Sequence, residues 1–515
     1  MSVKIAAIAD VHYKSGDVAA CGRRRSAIAD ILLLRAVHRL NRWVKPDVTI
    51  LLGDFIDDPA SPNALDDLRR VKQVADLLQS PLIAIPGNHD PDVDTFYTVF
   101  EYPGQVVDVK GVRFVLFFDP AEPKHNARRT DAGLRWMASA CEGHLGPTVS
   151  VQHVPLFPPG TSDSPFAYTN AKDVWSVFAK CGYTLALSGH YHDGDNILSR
   201  GAAPSVVVPA LCESPFQFAE ITIDSSNVQA RFHQLALSRE LGLMDCHVHT
   251  PFAYCQENMD MALSLVLAED LGLAGLAFTE HSGQLYFDDK TFWSAAFMPT
   301  GIDTDQGKVN RMPQFLEQAR KFCPPAVLGL EIDCDYLGRP VVRPDDLAQV
   351  ELRLGSIHWL EALMKPEPDT LRAGDEMIAR LERFLPSGID ILAHPFRAFG
   401  RKKTDVPSDL MPRLVKLLRQ HNVAAEINFH TQETGEDFVT ACLNEGVKLA
   451  FGSDSHNLYE VGELQPHLDL LARCGVPSSR LKEVLVDLSV FSDARSGEKG
   501  AKGVSVDRSV GITSC

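Results

Sequence analysis

The 515-residue sequence has no paired-cysteine motif, no long uncharged apolar run and no excess of basic residues. Its 11 cysteines are scattered, which favours reduced thiols over a disulfide framework. The N-terminus does not have the pattern of a signal peptide, and no apolar run is long enough to span a bilayer. The sequence therefore predicts a soluble, cytoplasmic protein without a membrane partner.

Acidic residues outnumber basic residues by 67 to 50, giving a formal net charge of -17. A basic face is expected of proteins that bind nucleic acid without sequence preference, so this balance argues against that class. At about 100–200 residues per domain, the length predicts between two and four domains. The sequence leaves the oligomeric state open.

The first half consists of short apolar or β-branched runs that end in polar clusters, with helical patterns between some of them. This arrangement predicts a layered α/β domain over residues 1–235. The predicted strands are 3–9, 47–52, 82–86, 112–117, 149–152, 183–188, 205–209, 219–223 and 228–234, and the predicted helices include 27–43 and 65–78.

The second half repeats strand-like runs in alternation with amphipathic helices, which predicts a parallel barrel or a doubly wound sheet over residues 241–490. The strand-like runs are 243–249, 273–279, 327–333, 354–359, 391–395, 424–429 and 448–452. Apolar periodicity is then lost, so residues 492–515 are predicted to be a disordered tail.

In the first domain, several strand ends combine a glycine or proline turn with metal-binding side chains. Spacing of two residues, as in Asp10/His12 and His190/His192, places both side chains on one side of an extended segment. Mixed carboxylate, amide and imidazole ligands suit manganese, iron or zinc. The full set is Asp10, His12, Gly53, Asp54, Asp57, Gly87, Asn88, His89, Asp90, His153, Gly189, His190 and His192.

In this order and with these strand contexts, the segments resemble the calcineurin-like metallophosphoesterase family over residues 1–235. The resemblance implies a four-layer αββα sandwich with two divalent metals. It implies one metal on Asp10, His12, Asp54 and His192, and a second on Asn88, His153, His190 and the bridging Asp54. It further implies that His89 is catalytic, with Asp90 orienting it, while Asp57 is interpreted as structural.

A second set of metal-binding side chains falls at the carboxyl ends of the later predicted strands, where barrels gather their active-site residues. The set consists of Asp245-Cys-His247-Val-His249, Glu280-His281, Glu331, Gly355-Ser-Ile-His358, Ala393-His394-Pro395 and Asp454-Ser-His456. It resembles the PHP family (polymerase and histidinol phosphatase), histidinol-phosphatase-like branch, over residues 241–490. The resemblance implies a distorted (β/α)7 barrel with two or three metals. The matching ligand positions are His247, His249, His281, Glu331, His358, His394, Asp454 and His456.

One position departs from that family pattern, because Cys255 stands where many relatives have a third histidine. A thiolate ligand, a packed thiol and a replacement carboxylate at Glu257 are all open. Glu257 is expected to begin a helix and is the favoured ligand, since a hydrolytic site of hard oxygens rarely uses a thiolate.

Two further residues are candidates for substrate binding in the second domain. Arg397 follows His394 by three residues and could hold a phosphate. His430 alternates with Glu426 and Asn428 off a strand end. The basic run of residues 401–403 is interpreted as a solvated surface.

The sequence as a whole predicts a bifunctional, metal-dependent phosphoester hydrolase. The first domain would cleave a phosphodiester (or monoester), and the PHP domain would hydrolyse a phosphomonoester or cyclic phosphate of a small molecule. Two alternatives stay open: a nuclease or DNA-repair phosphoesterase, and one catalytic domain with a non-catalytic regulatory partner domain.

Overall fold

A computed structural model describes residues 2–16, 22–201, 203–224, 227–431 and 434–487. The chain forms two compact units: Met1–Ser238 with Asp270–Gly272, and Arg239–Glu269 with Leu273–Cys515. The predicted domain limits, 1–235 and 241–490, stay predictions. The predicted tail, 492–515, lies outside the described residues.

The first unit is built from short strands with a few helices between them. Its strands are β1 (Ser2–Ile8), β2 (Val48–Leu51), β3 (Leu82–Ala84), β4 (Val106–Val109), β5 (Val112–Leu116), β6 (Ala121–Glu122), β7 (Asn126–Ala127), β8 (Thr148–Val151), β9 (Leu185–Ser188), β10 (Ser205–Val207), β11 (Gln217–Asp224) and β12 (Asn227–Gln234). Its helices are α1 (Ala29–Arg39), α2 (Ala64–Ala75), α3 (Val93–Phe96), α4 (Asp131–Ser139) and α5 (Ala171–Lys180).

Two five-stranded sheets, in the orders β12-β11-β1-β2-β3 and β10-β9-β8-β5-β4, face each other. Every second side chain of their central strands is apolar and joins one shared core, for example Ile5, Ile50, Phe114, Val149 and Leu185. The alternation of apolar side chains along each strand therefore gives each sheet one apolar face, and the two apolar faces pack together as a sandwich.

Helices α4 and α5 cover the outer face of the second sheet. Met137 and Phe178 of these helices pack in one buried cluster with Val115 and Ala186, which point away from the shared core. The predicted strands of this unit are confirmed, with ends shifted by a few residues. The full four-layer order stays a prediction.

The second unit alternates strands and helices. Its strands are β13 (Met244–Val248), β14 (Gly275–His281), β15 (Val327–Asp333), β16 (Leu352–Ser356), β17 (Ile391–Leu392), β18 (Ala424–Asn428) and β19 (Leu449–Gly452). Its helices are α6 (Met261–Asp270), α7 (Ser282–Tyr286), α8 (Asp289–Trp293), α9 (Met312–Ala319), α10 (Pro344–Leu347), α11 (Thr370–Phe384), α12 (Arg397–Arg401), α13 (Leu410–His421), α14 (Glu436–Glu445), α15 (Gln465–Arg473) and α16 (Leu481–Val484).

These strands form a seven-stranded sheet in sequence order, with parallel pairing throughout. The two ends of the sheet meet. A parallel bridge joins Val248 to Ser455, and the Asp454 N–H donates to the His247 carbonyl at 2.8 Å. The second unit is therefore a nearly closed parallel barrel, and of the two predicted alternatives the doubly wound sheet is wrong.

Among the helices of the described ranges, none is both long and apolar enough to cross a bilayer.

The barrel depends on close strand contact at Gly329, in the middle of β15. A Cβ atom there would lie 2.8 Å from the Leu352 carbonyl oxygen on one neighbouring strand and 2.8 Å from Thr279 Cγ2 on the other. We expect Gly329→Ala to destabilise the second unit by about 1–3 kcal/mol, because overpacking forces the backbone to shift. Calorimetric unfolding of the full chain measures this.

Gly374 in α11 is the matched control, since its added Cβ would meet only ordinary contacts, the nearest at 3.5 Å. Gly374→Ala should leave stability unchanged or raise it, because alanine favours helix. Equal effects of the two substitutions would contradict the packing argument.

Candidate metal centres

The metal-binding side chains predicted in the first unit lie beyond the carboxyl ends of parallel strands from both sheets. Asp10 and His12 follow β1, Asp54 follows β2, and Asn88 follows β3. The remaining ones follow β8 and β9 and are His153, His190 and His192. The fold thus brings the whole predicted ligand set to the edge of the two sheets where these strands end.

Asp54 lies at the centre of this group. Its Oδ2 is 3.5 Å from His12 Nε2 on one side and 3.3 Å from His153 Nε2 on the other. His12 Nε2 is 3.2 Å from His192 Nε2, and His153 Nε2 is 3.1 Å from both Asn88 Oδ1 and His190 Nδ1. One carboxylate oxygen therefore separates two clusters of ligand atoms, as a bridging ligand between two cations does.

The ring nitrogens that face away from this centre are held by acceptors. His153 Nδ1 donates to the Leu52 carbonyl at 2.6 Å, and His190 Nε2 donates to the His125 carbonyl at 2.9 Å. His192 Nδ1 bonds Glu213 Oε1 at 2.6 Å. These bonds fix each tautomer with a lone pair directed at the cluster. Sequence reasoning missed Glu213, which lies outside every quoted motif.

Several ligands occupy left-handed backbone conformations that non-glycine residues rarely adopt. The φ angle is 56° at Asp10, 49° at His12, 54° at Asp54 and 67° at His190. Such strain persists only where surrounding structure enforces it, and it concentrates at functional sites. Gly87 allows the approach, because a Cβ there would collide with Asp54 Oδ1.

The charges at this centre are coupled. Burial raises the pKa of Asp54 and the neighbouring His153 lowers it, and the net pKa lies well below the usual value. Burial lowers the pKa of His153, but Asp54 raises it to about 10. Asp10 Oδ1 is buried and accepts no hydrogen bond from the described residues. A divalent cation would give that oxygen a partner, and its binding would displace the His153 proton.

The second unit holds a comparable cluster at the carboxyl ends of the barrel strands. His247 and His249 lie at the end of β13, where the pairing register with β14 shifts between Asp245 and Val248. The other side chains come from the ends of the following strands and are His281, Glu331, His358, His394, Asp454 and His456.

Glu331 divides this cluster into two groups. Its Oε1 is 3.2 Å from His358 Nε2 and 2.8 Å from His394 Nε2. Its Oε2 is 2.5 Å from His281 Nδ1 and 3.6 Å and 3.7 Å from the Nε2 atoms of His247 and His249. Asp454 Oδ1 completes the second group at 3.0 Å from His249 Nε2.

Several buried polar atoms in this cluster lie close to one another, yet they form no hydrogen bond of acceptable geometry within the described residues. They are His247 Nε2, His281 Nδ1, Glu331 Oε2, His358 Nε2 and His394 Nδ1. Leaving such atoms unpaired in a protein interior is costly, whereas a bound metal ion would give each of them a partner. The donor set therefore fits bound divalent metals.

Carboxylates also orient the imidazoles of the second cluster. His247 Nδ1 bonds Glu426 Oε1 at 2.7 Å, and His358 Nδ1 bonds Asp333 Oδ1 at 2.8 Å. His249 Nδ1 lies 3.3 Å from Glu280 Oε1. Sequence reasoning assigned no role to these carboxylates, although Glu280 directly precedes His281 and each one lies at a strand end.

Comparison with known proteins found similarity in the part of the chain that carries the first of these two centres. Residues 3–194 match the calcineurin-like phosphoesterase family. Over these residues the first unit is similar to calcineurin-like phosphoesterases. Such phosphoesterases use a binuclear divalent-metal site, and the ligand groups of the first unit fit a site of that kind.

Relatives of the chain include a probable phosphatase from Acetivibrio thermocellus, which is 24% identical over 160 residues covering 30% of this chain and 61% of that protein. The chain thus spans about three fifths of that relative's length. Solved structures include a dimetal phosphatase from Danio rerio, with 16% identity, a TM-score of 0.36, and coverage of 45% of this chain and 98% of that one. A purple acid phosphatase from yellow lupin (Lupinus luteus) seeds has 11% identity, a TM-score of 0.33, and coverage of 45% and 52%.

In the first unit, Asp90 bonds backbone groups rather than the His89 ring, and its predicted role stays a prediction. Its carboxylate accepts backbone N–H groups from Phe55 and Gly87, both at 2.8 Å, and so joins two ligand-bearing loops. The His89 ring is held instead by the Asp57 carbonyl, 2.7 Å from Nδ1.

In the second unit, the prediction that Glu257 begins a helix is wrong. The helix begins at Met261, and the exposed Glu257 carboxylate accepts from Asn457 Nδ2 at 2.7 Å. Cys255 lies nearer the cluster, with Sγ 3.6 Å from His281 Nε2 and 3.3 Å from Gln284 Nε2. The thiol therefore lies beside the ring of a predicted ligand, whereas Glu257 meets one only through its backbone N–H, which donates to the His456 carbonyl at 2.8 Å.

The two predicted substrate-binding residues both contact the cluster. Arg397 is buried, and its Nη2 pairs with Asp454 Oδ2 at 2.5 Å and donates to Asn428 Oδ1 at 3.0 Å. The His430 ring stacks on His456 with centroids 4.6 Å apart, and its Nδ1 bonds Glu460. Residues 401–403 are exposed, as predicted.

Glu213 gives a test of the phosphoesterase centre. Glu213→Gln weakens the acceptor that fixes His192, and loss of such an outer partner typically lowers metal affinity about 10–100-fold. We expect calorimetric titration of the full chain with manganese to show a loss of affinity of this size. The loss should be confined to the binding step that belongs to the first unit.

The matched control is Glu220→Gln. Glu220 Oε2 bonds His233 Nε2 at 2.8 Å in the same unit, between β11 and β12 and away from the centre. Its replacement should leave metal affinity unchanged. A similar loss in both variants would show that the effect is not specific to His192.

Proposed function

We propose that the protein is a bifunctional, metal-dependent phosphoester hydrolase with one centre in each unit. The observation that carries the proposal is the same in both: a buried carboxylate, Asp54 or Glu331, lies between two groups of metal-binding atoms. Two cations on either side of a shared carboxylate suit the clamping of a phosphoryl group.

In the phosphoesterase domain, Asp10, His12, Asp54 and His192 would hold one cation, and Asn88, His153 and His190 the other, with Asp54 shared. Bound divalent metals, manganese, iron or zinc, supply a nucleophile at neutral pH and offset the charge of the phosphoryl oxygens. The side chains around them keep the ligands fixed.

His89 is the proposed catalytic residue of this domain. Its backbone N–H donates to Asp54 Oδ1 at 2.8 Å, and its Nδ1 donates to the Asp57 carbonyl. Nε2 is therefore the ring nitrogen open to the substrate. When it also carries a proton, it can give that proton to the leaving oxygen or stabilise the developing charge, while Nδ1 keeps its own proton. Through this backbone bond, the position of His89 depends directly on the carboxylate that the two cations would share.

For the second unit we propose a PHP domain. The parallel barrel with its metal-binding side chains at the carboxyl ends of the strands supports this, as does the central position of Glu331. The proposed activity is hydrolysis of a phosphomonoester or cyclic phosphate. Two or three metals are proposed, and the contact between Cys255 and His281 favours the thiol over Glu257 beside any third cation.

The two activities would suit consecutive steps on one small phosphorylated molecule, the product of diester (or monoester) cleavage becoming the substrate of the second centre. The net charge of -17 supports a small substrate over nucleic acid. Steep salt dependence of DNA binding would instead favour a nuclease.

The central experiment removes each bridging carboxylate separately. In manganese-loaded full chain, Asp54→Asn should lower phosphodiester cleavage at least about 100-fold, and Glu331→Gln should do the same for monoester cleavage, since loss of even an outer partner costs about 10–100-fold. Assays with a chromogenic diester and monoester measure both.

The controls Asp224→Asn and Glu317→Gln change exposed carboxylates in the same units and should have no effect. If one bridging variant removes all activity and the other none, only one domain is catalytic and the regulatory alternative is favoured.

Arg397 is proposed to contact the phosphate of the second substrate. Arg397→Lys removes its planar fork and should raise the KM for the monoester about tenfold, with metal content unchanged. The exposed Lys402→Met is the control. If metal content falls while KM stays constant, Arg397 instead positions Asp454.

A further inference from the structure

A cavity of about 740 Å³ adjoins one half of the phosphoesterase centre. Its lining includes the predicted ligands Asn88 and His153. Its volume is within the roughly 300–1,000 Å³ of sites that bind organic ligands. A phosphate ester of a methyl group or a short polyol would leave most of such a space filled with water.

The walls of the cavity are largely apolar. The lining includes Pro91 and Val93 from the segment after β3, and Phe117 and Phe118 from the segment after β5. Val93 is 36% exposed, and Phe118 is half-buried. An exposed valine and a half-exposed aromatic ring next to a metal centre provide surface for a ring-bearing ligand.

The carboxylates in the lining are already committed to protein partners. Asp90 accepts backbone N–H groups, and Asp92 accepts from the Thr95 N–H and hydroxyl at the start of α3. Asp119 pairs with Arg129 Nη2 at 2.8 Å. The other two charged residues of the lining, Glu122 and Lys124, have opposite signs. Three of the four carboxylates in the lining are therefore already hydrogen-bonded or ion-paired within the protein.

A buried cation makes the aromatic wall rigid. Arg129 is fully buried, and its guanidinium lies 3.5 Å from the centroid of the Phe117 ring. It also donates to the hydroxyl of Tyr168 at 3.3 Å, which in turn donates to Asp119 at 2.6 Å. The cavity is thus preformed, which lowers the ordering cost of binding.

We propose, resting on the hydrolase function above, that this cavity binds the organic group of the substrate. The substrate class is a phosphoester of a bulky, ring-bearing group of about nucleoside size. The ring packs between Val93 and Phe118 while the phosphoryl group lies at the metal centre.

The test compares two diesters with the same leaving group, methyl 4-nitrophenyl phosphate and thymidine 5′-(4-nitrophenyl phosphate). The manganese-loaded full chain should have a kcat/KM at least about tenfold higher for the thymidine ester. Phe118→Ala should lower the ratio of the two kcat/KM values, the preference for the thymidine ester, about fivefold. Contact between rings contributes about this much to binding in other proteins.

Because Phe118 also contacts the core, a second variant fills the cavity from its exposed side. Val93→Trp should lower kcat/KM for the thymidine ester at least about tenfold and leave that for the methyl ester unchanged. The preference for the thymidine ester should therefore fall by the same factor. Leu65→Trp, at a comparably exposed position (38%) on α2, is the matched control and should keep the preference of the unchanged protein. Equal kcat/KM for the two esters in the unchanged protein would overturn the proposal.

Failure of the hydrolase function is recognised separately. If the chain hydrolyses neither ester, calorimetric binding of thymidine 5′-monophosphate with manganese decides the matter. Binding that Val93→Trp abolishes and Leu65→Trp retains supports the cavity assignment, and no binding to the unchanged protein overturns it. If hydrolysis is seen but persists in Asp54→Asn, the activity belongs to another centre and the assignment is wrong.

Discussion

A carboxylate buried between imidazoles is the constraint on which both units depend. Asp54 is 1% exposed and Glu331 is fully buried, yet each must remain able to carry negative charge. Burying an unpaired ion is among the most costly events in folding, so such a group persists only if positive or donating groups surround it. The histidines contributed by separate strands provide that environment, and cations would complete it.

Bringing so many polar groups to one point also constrains the backbone. In the first unit the turns that carry Asp10, Asp54 and His190 adopt left-handed conformations, and in the second unit the same is true of His394 and Asp454. Neighbouring glycines are needed as well: a Cβ at Gly452 would collide with Glu426, which orients His247. The core strands hold these strained turns in place, so the stability of the sheets supports the geometry of the ligands.

The strands and the ligand groups could be predicted from the sequence because period-two apolar runs and i, i+2 ligand pairs are local patterns. The strand β4 was missed, and it is an edge strand whose side chains are mostly half-exposed. The roles of Asp90 and Glu257 depend on the direction of a loop, which apolar periodicity does not encode. Glu213 and Glu426 orient their histidines across the fold from distant segments, and only the tertiary structure joins those segments.

The closure of the barrel has a consequence for how the protein is made. His249 on the first barrel strand and Asp454 beyond the last are 205 residues apart, and Asp10 and His190 of the first unit are 180 residues apart. In the barrel, the centre therefore joins the first strand to the segment beyond the last, whereas in the first unit three further strands, β10 to β12, follow His190. During synthesis neither centre is complete until its last ligand has left the ribosome, and contacts so distant in sequence form slowly. Metal uptake by the barrel thus follows completion of its strands, and a bound ion would hold the first strand to the segment that closes the barrel.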